Sequence, residues 1–115
     1  KREYSRRHGM LAWACVDYLL VRDRYPRSGD HGGGWETSHC MALHPESVDL
    51  GKLPPPGGKY IGFGGVLDPR DSTADYGRET LECAADAAVR EVRHRLEHRE
   101  RYAGHGGSLI EGLWR

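Results

Sequence analysis

The chain has 115 residues, with 17 Lys and Arg balanced by 17 Asp and Glu, and its formal net charge is zero. This balance argues against a protein that coats nucleic acid without sequence preference, because such a protein needs a basic surface. The apolar fraction is 37% and the mean hydropathy is −0.73. These values predict a single domain over residues 1–115 with one modest core, stabilised in part by a partner, a metal or a larger parent chain.

The cysteines and the longest apolar run bear on compartment and membrane. Three cysteines without C-x-x-C spacing argue against a disulfide framework and favour a reducing compartment, so we expect a cytoplasmic protein. Cys15 and Cys83 have apolar neighbours and are predicted to be buried thiols. The longest apolar run, residues 10–21, is too short for a membrane span and is interrupted by Asp17.

In chain order, a frayed basic arm over residues 1–8 precedes the first predicted element. Residues 9–24, GMLAWACVDYLLVRDR, are predicted to form a buried strand or strand pair, because Val, Trp, Tyr and Cys favour strands. A helix stays open as the alternative, since four apolar side chains would share one helical face: Leu11, Cys15, Tyr18 and Leu19.

A Gly- and Pro-rich excursion follows at about residues 25–59. It contains HGGGW at 31–35 and PPPGG at 54–58, and a short ordered piece is expected around Trp35 to Leu43. Gly-rich loops can cradle phosphates when a helix N-terminus follows. Because no helix is evident after either cluster, both are interpreted as flexible linkers.

The second half predicts a strand, a loop and one long helix. Residues 60–67 have strand character, residues 68–78 form a loop, and a helix runs from Thr80 to about Tyr102 and ends at Gly104. A last strand is expected over residues 108–114. The apolar positions of the helix recur at helical spacing and predict its buried stripe: Leu81, Ala85, Ala88, Val92 and Leu96. The expected fold is α/β, with a small mixed sheet packed on one long helix.

One motif in this half has a specific spacing. Phe63, Gly64 and Gly65 end the strand-like run, and after the loop come Glu82, seven residues, and then Arg-Glu-Val at 90–92. This order resembles the signature of the Nudix hydrolase family. The box is divergent or incomplete, because His94 and Arg95 stand where the family has a pair of glutamates.

The Nudix resemblance implies a Nudix-like fold acting on or binding a nucleoside diphosphate derivative, with Mg²⁺ or Mn²⁺ as cofactor. Metal-dependent hydrolysis is expected to be weakened or lost, since Arg95 repels a cation that needs hard oxygen ligands. The resemblance assigns catalysis to Glu91, Arg90 and Glu82, metal binding to Glu91, Glu82 and His94, and substrate binding to Gly64, Gly65 and Arg95. The alternative is a non-catalytic nucleotide- or protein-binding module, with a protein partner or a second copy of the chain.

Two histidine-containing motifs give minor alternatives. His94, Glu97 and His98 spell H-x-x-E-H, in which two histidines four residues apart on a helix can reach one zinc ion. His39, Cys40 and His44 include zinc-ligand residue types, but their spacing fits no closed four-ligand pattern, so a solvated loop is favoured there.

Overall fold

The computed structural model describes residues 7–102, and the regular structure in this range is helical. The helices are α1 (Asp17–Leu20), α2 (Gly34–Leu43), α3 (Ala74–Glu97) and α4 (Arg99–Tyr102). Short 3₁₀ turns occupy Pro45–Ser47, Leu50–Lys52 and Pro69–Asp71. Residues 1–6 of the predicted basic arm, the helix end at Gly104 and the strand at residues 108–114 lie outside the described residues, whereas residues 7–8 of that arm are helical.

The predicted α/β fold is wrong. Within residues 7–102, the β pairing consists of one isolated antiparallel bridge between His31 and Gly64, with no sheet. Glycines at positions 62, 64 and 65 interrupt the predicted strand over residues 60–67, and Gly62 has a φ of 77°, outside the extended region. Without a sheet, the helices pack on each other and on the connecting segments, so the Nudix-like architecture is not present.

The predicted strand over residues 9–24 is also wrong. The chain has no regular structure over residues 10–16 and then forms α1. The helical alternative therefore holds only for Asp17–Leu20. No helix in the described part of the chain is long and apolar enough to cross a membrane.

The short ordered piece expected around Trp35 to Leu43 is confirmed as α2, but the interpretation of HGGGW as a linker is wrong. The glycines lead directly into the N-terminus of α2. There the Asp30 carboxylate accepts hydrogen bonds from the backbone N–H groups of Trp35, at 2.7 Å, and Glu36, at 3.1 Å. A carboxylate at this position satisfies exposed N–H groups and complements the helix dipole. The place where a phosphate could bind is therefore filled by the chain itself.

Helix α3 begins six residues earlier than predicted. Thr73, rather than Thr80, caps it, and its hydroxyl oxygen accepts from the Tyr76 N–H at 3.1 Å. The predicted loop over residues 68–78 is correct only up to this cap. The 24 residues of α3 span about 36 Å, so this helix extends well beyond α2.

The core lies where α2 packs against α3 and is centred on Trp35, which is 1% exposed. Its indole ring lies 4.8 Å from the ring of His39, 5.9 Å from Tyr25 and 6.1 Å from Tyr76, measured between centroids. Val21 and Ala84 are the other buried apolar residues of this cluster. Cys83 packs against it partly buried, whereas Cys15 is exposed, contrary to the prediction.

Small residues let α2 and α3 approach closely. A Cβ atom at Gly77 of α3 would overlap the carbonyl of Ser38 on α2. The buried Ser38 hydroxyl accepts from the Thr73 N–H at 3.2 Å and donates to the Gly34 carbonyl at 2.5 Å. Ser38 thus ties the first turn of α3 to α2.

The predicted buried stripe of α3 is wrong at Ala85, Val92 and Leu96, which are exposed, while Leu81 and Ala88 are half-buried. The helix buries Gly77, Thr80 and Ala84, while Val92 is 43% exposed and Leu96 is 56% exposed. The apolar repeat therefore predicted a buried face that is displaced around the helix from the face that packs on α2. The side that packs on α2 is selected by small size and not by apolar area.

Candidate functional site

The two glutamates assigned to a metal do not converge. Glu82 and Glu91 are nine residues apart on the continuous helix α3. At about 100° per residue, nine residues place the two side chains on opposite sides of the helix axis. Glu82 is exposed, and Glu91 faces the packed side. One Mg²⁺ or Mn²⁺ ion cannot be held by both, so these residues do not fit the implied cofactor.

Glu91 is instead part of a packed cation–aromatic cluster. The Arg95 Nε–H donates to Glu91 Oε1 at 2.6 Å, and only 12% of the Arg95 side chain is exposed. The Arg95 guanidinium also lies over the rings of Tyr102, at 4.5 Å, and Trp13, at 5.2 Å. These contacts fix the segment before α1 against the C-terminal half of α3. Arg90, the third residue assigned to catalysis, is exposed.

The glycines assigned to substrate binding have a structural role. Gly64 and His31 exchange both backbone hydrogen bonds, at 2.6 and 2.9 Å. A Cβ atom at Gly65 would overlap the Asp30 side chain, the group that caps α2. Both glycines therefore hold the loop before α2 in place. Within the described residues, neither glycine forms a backbone hydrogen bond or a β-bridge with the residues of α3 that were assigned to catalysis or metal binding.

The H-x-x-E-H motif brings two histidines together without a third ligand. The rings of His94 and His98 lie 4.3 Å apart, and His98 Nδ1–H donates to the His94 carbonyl at 2.9 Å. Glu97 lies exposed on another side of the helix. Across residues 7–102, no group of three or more His, Cys, Asp or Glu side chains is arranged to hold a metal ion.

A polar row that the sequence analysis missed crosses the core. His39 Nε2 lies 2.9 Å from the Thr80 hydroxyl, and His39 Nδ1 lies 3.8 Å from Asp17 Oδ2. Asp17 Oδ2 also accepts from the Trp35 Nε1–H at 3.3 Å. The available signal was the pair Trp35 and His39, which are four residues apart and share one face of α2.

The row resembles a nucleophile–base–acid arrangement, but in it the His39 ring donates a hydrogen bond to the Thr80 hydroxyl, whereas a base would have to accept one. Thr80 is 0% exposed, and its hydroxyl lies 2.8 Å from the Tyr76 carbonyl and 3.1 Å from the Gly77 carbonyl. Because a carbonyl only accepts, the Thr80 proton is directed there, and His39 Nε2–H donates to Thr80. Burial lowers the pKa of His39, which keeps the ring neutral. The row therefore joins α1, α2 and α3 and activates no nucleophile.

Two open cavities flank α2. One, of about 380 Å³, is lined by Trp35, His39 and Cys40 together with carboxylates of α1, α2 and the preceding loop. Asp30 and Glu36, two of those carboxylates, already accept backbone N–H groups. The other, of about 330 Å³, lies between α2, the start of α3 and residues 66–68. The first cavity therefore holds a thiol, an imidazole and carboxylates, but the hydrogen bond of the His39 ring goes to Thr80 and not to the Cys40 thiol.

The most distinctive free surface lies beside the packed side of α3, where Leu81 and Ala88 are half-buried and the next residues around the helix are exposed. We call it the exposed stripe, and its members share one side of the helix: Leu81, Ala85, Ala88, Val89, Val92 and Leu96. Val89 and Val92 are 47% and 43% exposed, and Leu96 is 56% exposed. Glu82 and Arg93 stand together at one edge of the stripe, because eleven residues are close to three full turns. Both are exposed, and neither forms an ion pair within residues 7–102.

Comparison with known proteins adds no relative: the chain matches no family model, no curated protein and no solved structure. The function must therefore be inferred from the residues and geometry of this chain.

Proposed function

We propose that this chain is a non-catalytic protein-binding module, whose exposed stripe on α3 pairs with one amphipathic helix of a protein partner. The observation that carries the proposal is that Val89, Val92 and Leu96 are left in solvent on a helix that is firmly held along the neighbouring face. Two aspects of the stripe define the partner, namely its apolar spacing and the charges at its edge.

The apolar spacing suits helix pairing. The members of the stripe recur every three or four residues over residues 81–96, which is about 22 Å of helix. Continuous apolar rows of this kind on a helix are buried in folded proteins or in complexes. A partner helix with a matching row would remove Val89, Val92 and Leu96 from water.

The charges beside the stripe favour one orientation of the partner. Charges on the packed side of α3 are paired within the chain: Glu91 with Arg95, and Glu79 with Arg24, whose closest N–O distance is 3.1 Å. Glu82 and Arg93 have no such partners in the described residues. An antiparallel helix with an acidic first half and a basic second half would bring opposite charges to both.

The stripe is also presented on a rigid support. Beyond the Thr73 cap, Tyr25 OH donates to Glu79 Oε1 at 2.6 Å, and this bond raises the pKa of Tyr25 to about 12. Arg99 donates to the Gly9 carbonyl at 2.7 Å, near the far end of the helix. A helix fixed at several points loses little conformational freedom when a partner binds, which favours affinity.

The direct test uses a labelled synthetic helix as a probe. The peptide carries a leucine row, glutamates beside it in its first half and lysines in its second half, and binding is followed by fluorescence anisotropy. Val92→Asp should weaken binding at least tenfold, because it places a charge within the apolar contact. Val66→Asp is the matched control, since Val66 is 70% exposed and is not part of the exposed stripe, and it should bind as the unmodified chain does.

Two results would contradict the proposal. One is failure of the unmodified chain to bind the peptide at any accessible concentration. The other is equal binding by Val92→Asp and Val66→Asp, which would place the contact away from the stripe. Circular dichroism of both variants verifies that each is folded.

A further inference from the structure

We infer that the partner helix is α3 of a second copy of this chain, paired antiparallel about a two-fold axis between Ala88 and Val89. This inference rests on the proposed function and narrows it to self-association. It is carried by the self-complementarity of the stripe and of the charges at its edge.

The apolar row is complementary to its own reverse. In an antiparallel pair, residues equally far from the axis meet, so Leu81 of one copy meets Leu96 of the other. Ala85 then lies at the level of Val92, and Ala88 at the level of Val89. Every layer is apolar, and the inner layers combine one alanine with one valine. This combination lets the helices approach closely at the centre and fills the ends with leucine pairs.

The unpaired charges are self-complementary in the same register. A two-fold axis across antiparallel helices brings the same edge of each helix together. Glu82 of one copy then lies within about 3 Å, along the helix axis, of the level of Arg93 of the other. The symmetry generates this pair twice. In a parallel pair the two charged edges lie on opposite sides of the interface, so Glu82 and Arg93 do not meet. The charges therefore select the antiparallel arrangement.

The size of the surface sets the expected strength. A contact over about 22 Å of one helix is smaller than the roughly 800 Å² per partner of a standard interface. The dimer should accordingly be weak and reversible, with a dissociation constant on the order of micromolar. Measurements must therefore cover a wide range of protein concentration, from about 1 to 500 µM.

The test is a charge exchange followed by sedimentation equilibrium. Glu82→Arg makes both edge contacts basic against basic, and Arg93→Glu makes both acidic against acidic. Each variant alone should dimerise about tenfold more weakly than the unmodified chain. When the two variants are mixed in equal amounts, every contact again joins opposite charges, and the mixture should regain dimer. Arg90→Glu is the matched control, because Arg90 lies about 200° around the helix from Val92 and should leave dimerisation unchanged.

The outcomes separate this inference from the proposed function. A chain that is monomeric throughout but binds the synthetic helix overturns self-association and leaves the protein-binding proposal intact. A chain that is monomeric throughout and does not bind the synthetic helix overturns both self-association and the protein-binding proposal. A dimer unaffected by Glu82→Arg and Arg93→Glu, or unrestored by mixing them, overturns the antiparallel stripe contact. Dimerisation that appears only after the chain is cut behind Tyr102 shows that residues 103–115 cover the stripe, and overturns the inference for the full chain.

Discussion

The two sides of α3 are built from different kinds of residue. The packed side buries a glycine, a threonine and an alanine, namely Gly77, Thr80 and Ala84. The other side exposes the aliphatic side chains of Val89, Val92 and Leu96. Tyr76, Cys83 and Ala87 also pack against the core from this side, so what distinguishes it is the small size of the residues that it buries completely.

This difference shows that close approach, rather than apolar area, decides which side α2 covers. Gly77 lets the α2 backbone come near, and Thr80 is fastened by hydrogen bonds to His39 and to its own helix. Small contact residues gain dispersion energy through proximity, and the aromatic ring of Trp35 supplies most of the buried apolar volume. The larger aliphatic residues are then left for contacts outside the described chain.

Breaking the packed side at its centre should have the largest effect. Trp35→Ala removes the largest fully buried side chain and should cost about 3–5 kcal/mol in the free energy of unfolding. Urea denaturation followed by circular dichroism measures this loss. A cost below about 1 kcal/mol would mean that α2 does not pack on α3 as described.

Gly77→Ala should destabilise by about 2–3 kcal/mol, because its Cβ atom would overlap the Ser38 carbonyl and push the helices apart. Helix propensity alone would give the opposite result, since alanine is favoured over glycine by about 1 kcal/mol. Ala85→Gly on the exposed side is the control and should follow propensity, losing about 1 kcal/mol. A Gly77→Ala variant more stable than the unmodified chain would refute the close crossing.

The polar row predicts a smaller, pH-dependent effect. Burial lowers the pKa of His39 in the folded chain below the value of about 6.5 expected when unfolded. The unfolded chain therefore binds the proton more readily, so stability is full above about pH 6.5 and is lost as the pH falls toward the folded-state pKa. His39→Gln should lose less stability than the unmodified chain between about pH 7.5 and 5. Equal losses in thermal melts would show that His39 is not the titrating group.

Leu96→Ala should have the smallest effect, below about 0.5 kcal/mol on the unfolding of the dilute monomer, because Leu96 is already 56% exposed. A buried leucine would cost about 2–5 kcal/mol. Denaturation at about 1 µM isolates the monomer. A loss in the buried range would show that Leu96 is covered within the chain.

The long helix was predictable from sequence, because alanines and a regular apolar repeat identify α3 without tertiary information. The side of α3 that packs on α2 was not predictable, because the repeat of large residues predicted the exposed stripe as core. The packed side is instead decided by the close contact between Gly77 and Ser38, which are far apart in the sequence. The predicted sheet failed because alternating apolar residues do not form strands without partners, and glycines interrupt residues 60–67. The site residues Glu82 and Glu91 were matched by spacing to a family motif, but a continuous helix places them on opposite sides.

The most direct test of the account compares cysteine labelling on the two sides of α3. In a background without Cys15, Cys40 and Cys83, thiol modification is followed at Val92→Cys and at Ala84→Cys over a range of protein concentration. We expect Val92→Cys to react fast when the protein is dilute and slowly when it is concentrated, and Ala84→Cys to react slowly throughout. A Val92→Cys thiol that reacts slowly even in dilute solution would contradict the claim that this side of α3 is a free surface, and one that reacts equally fast at every concentration would contradict its pairing with a second copy of the chain.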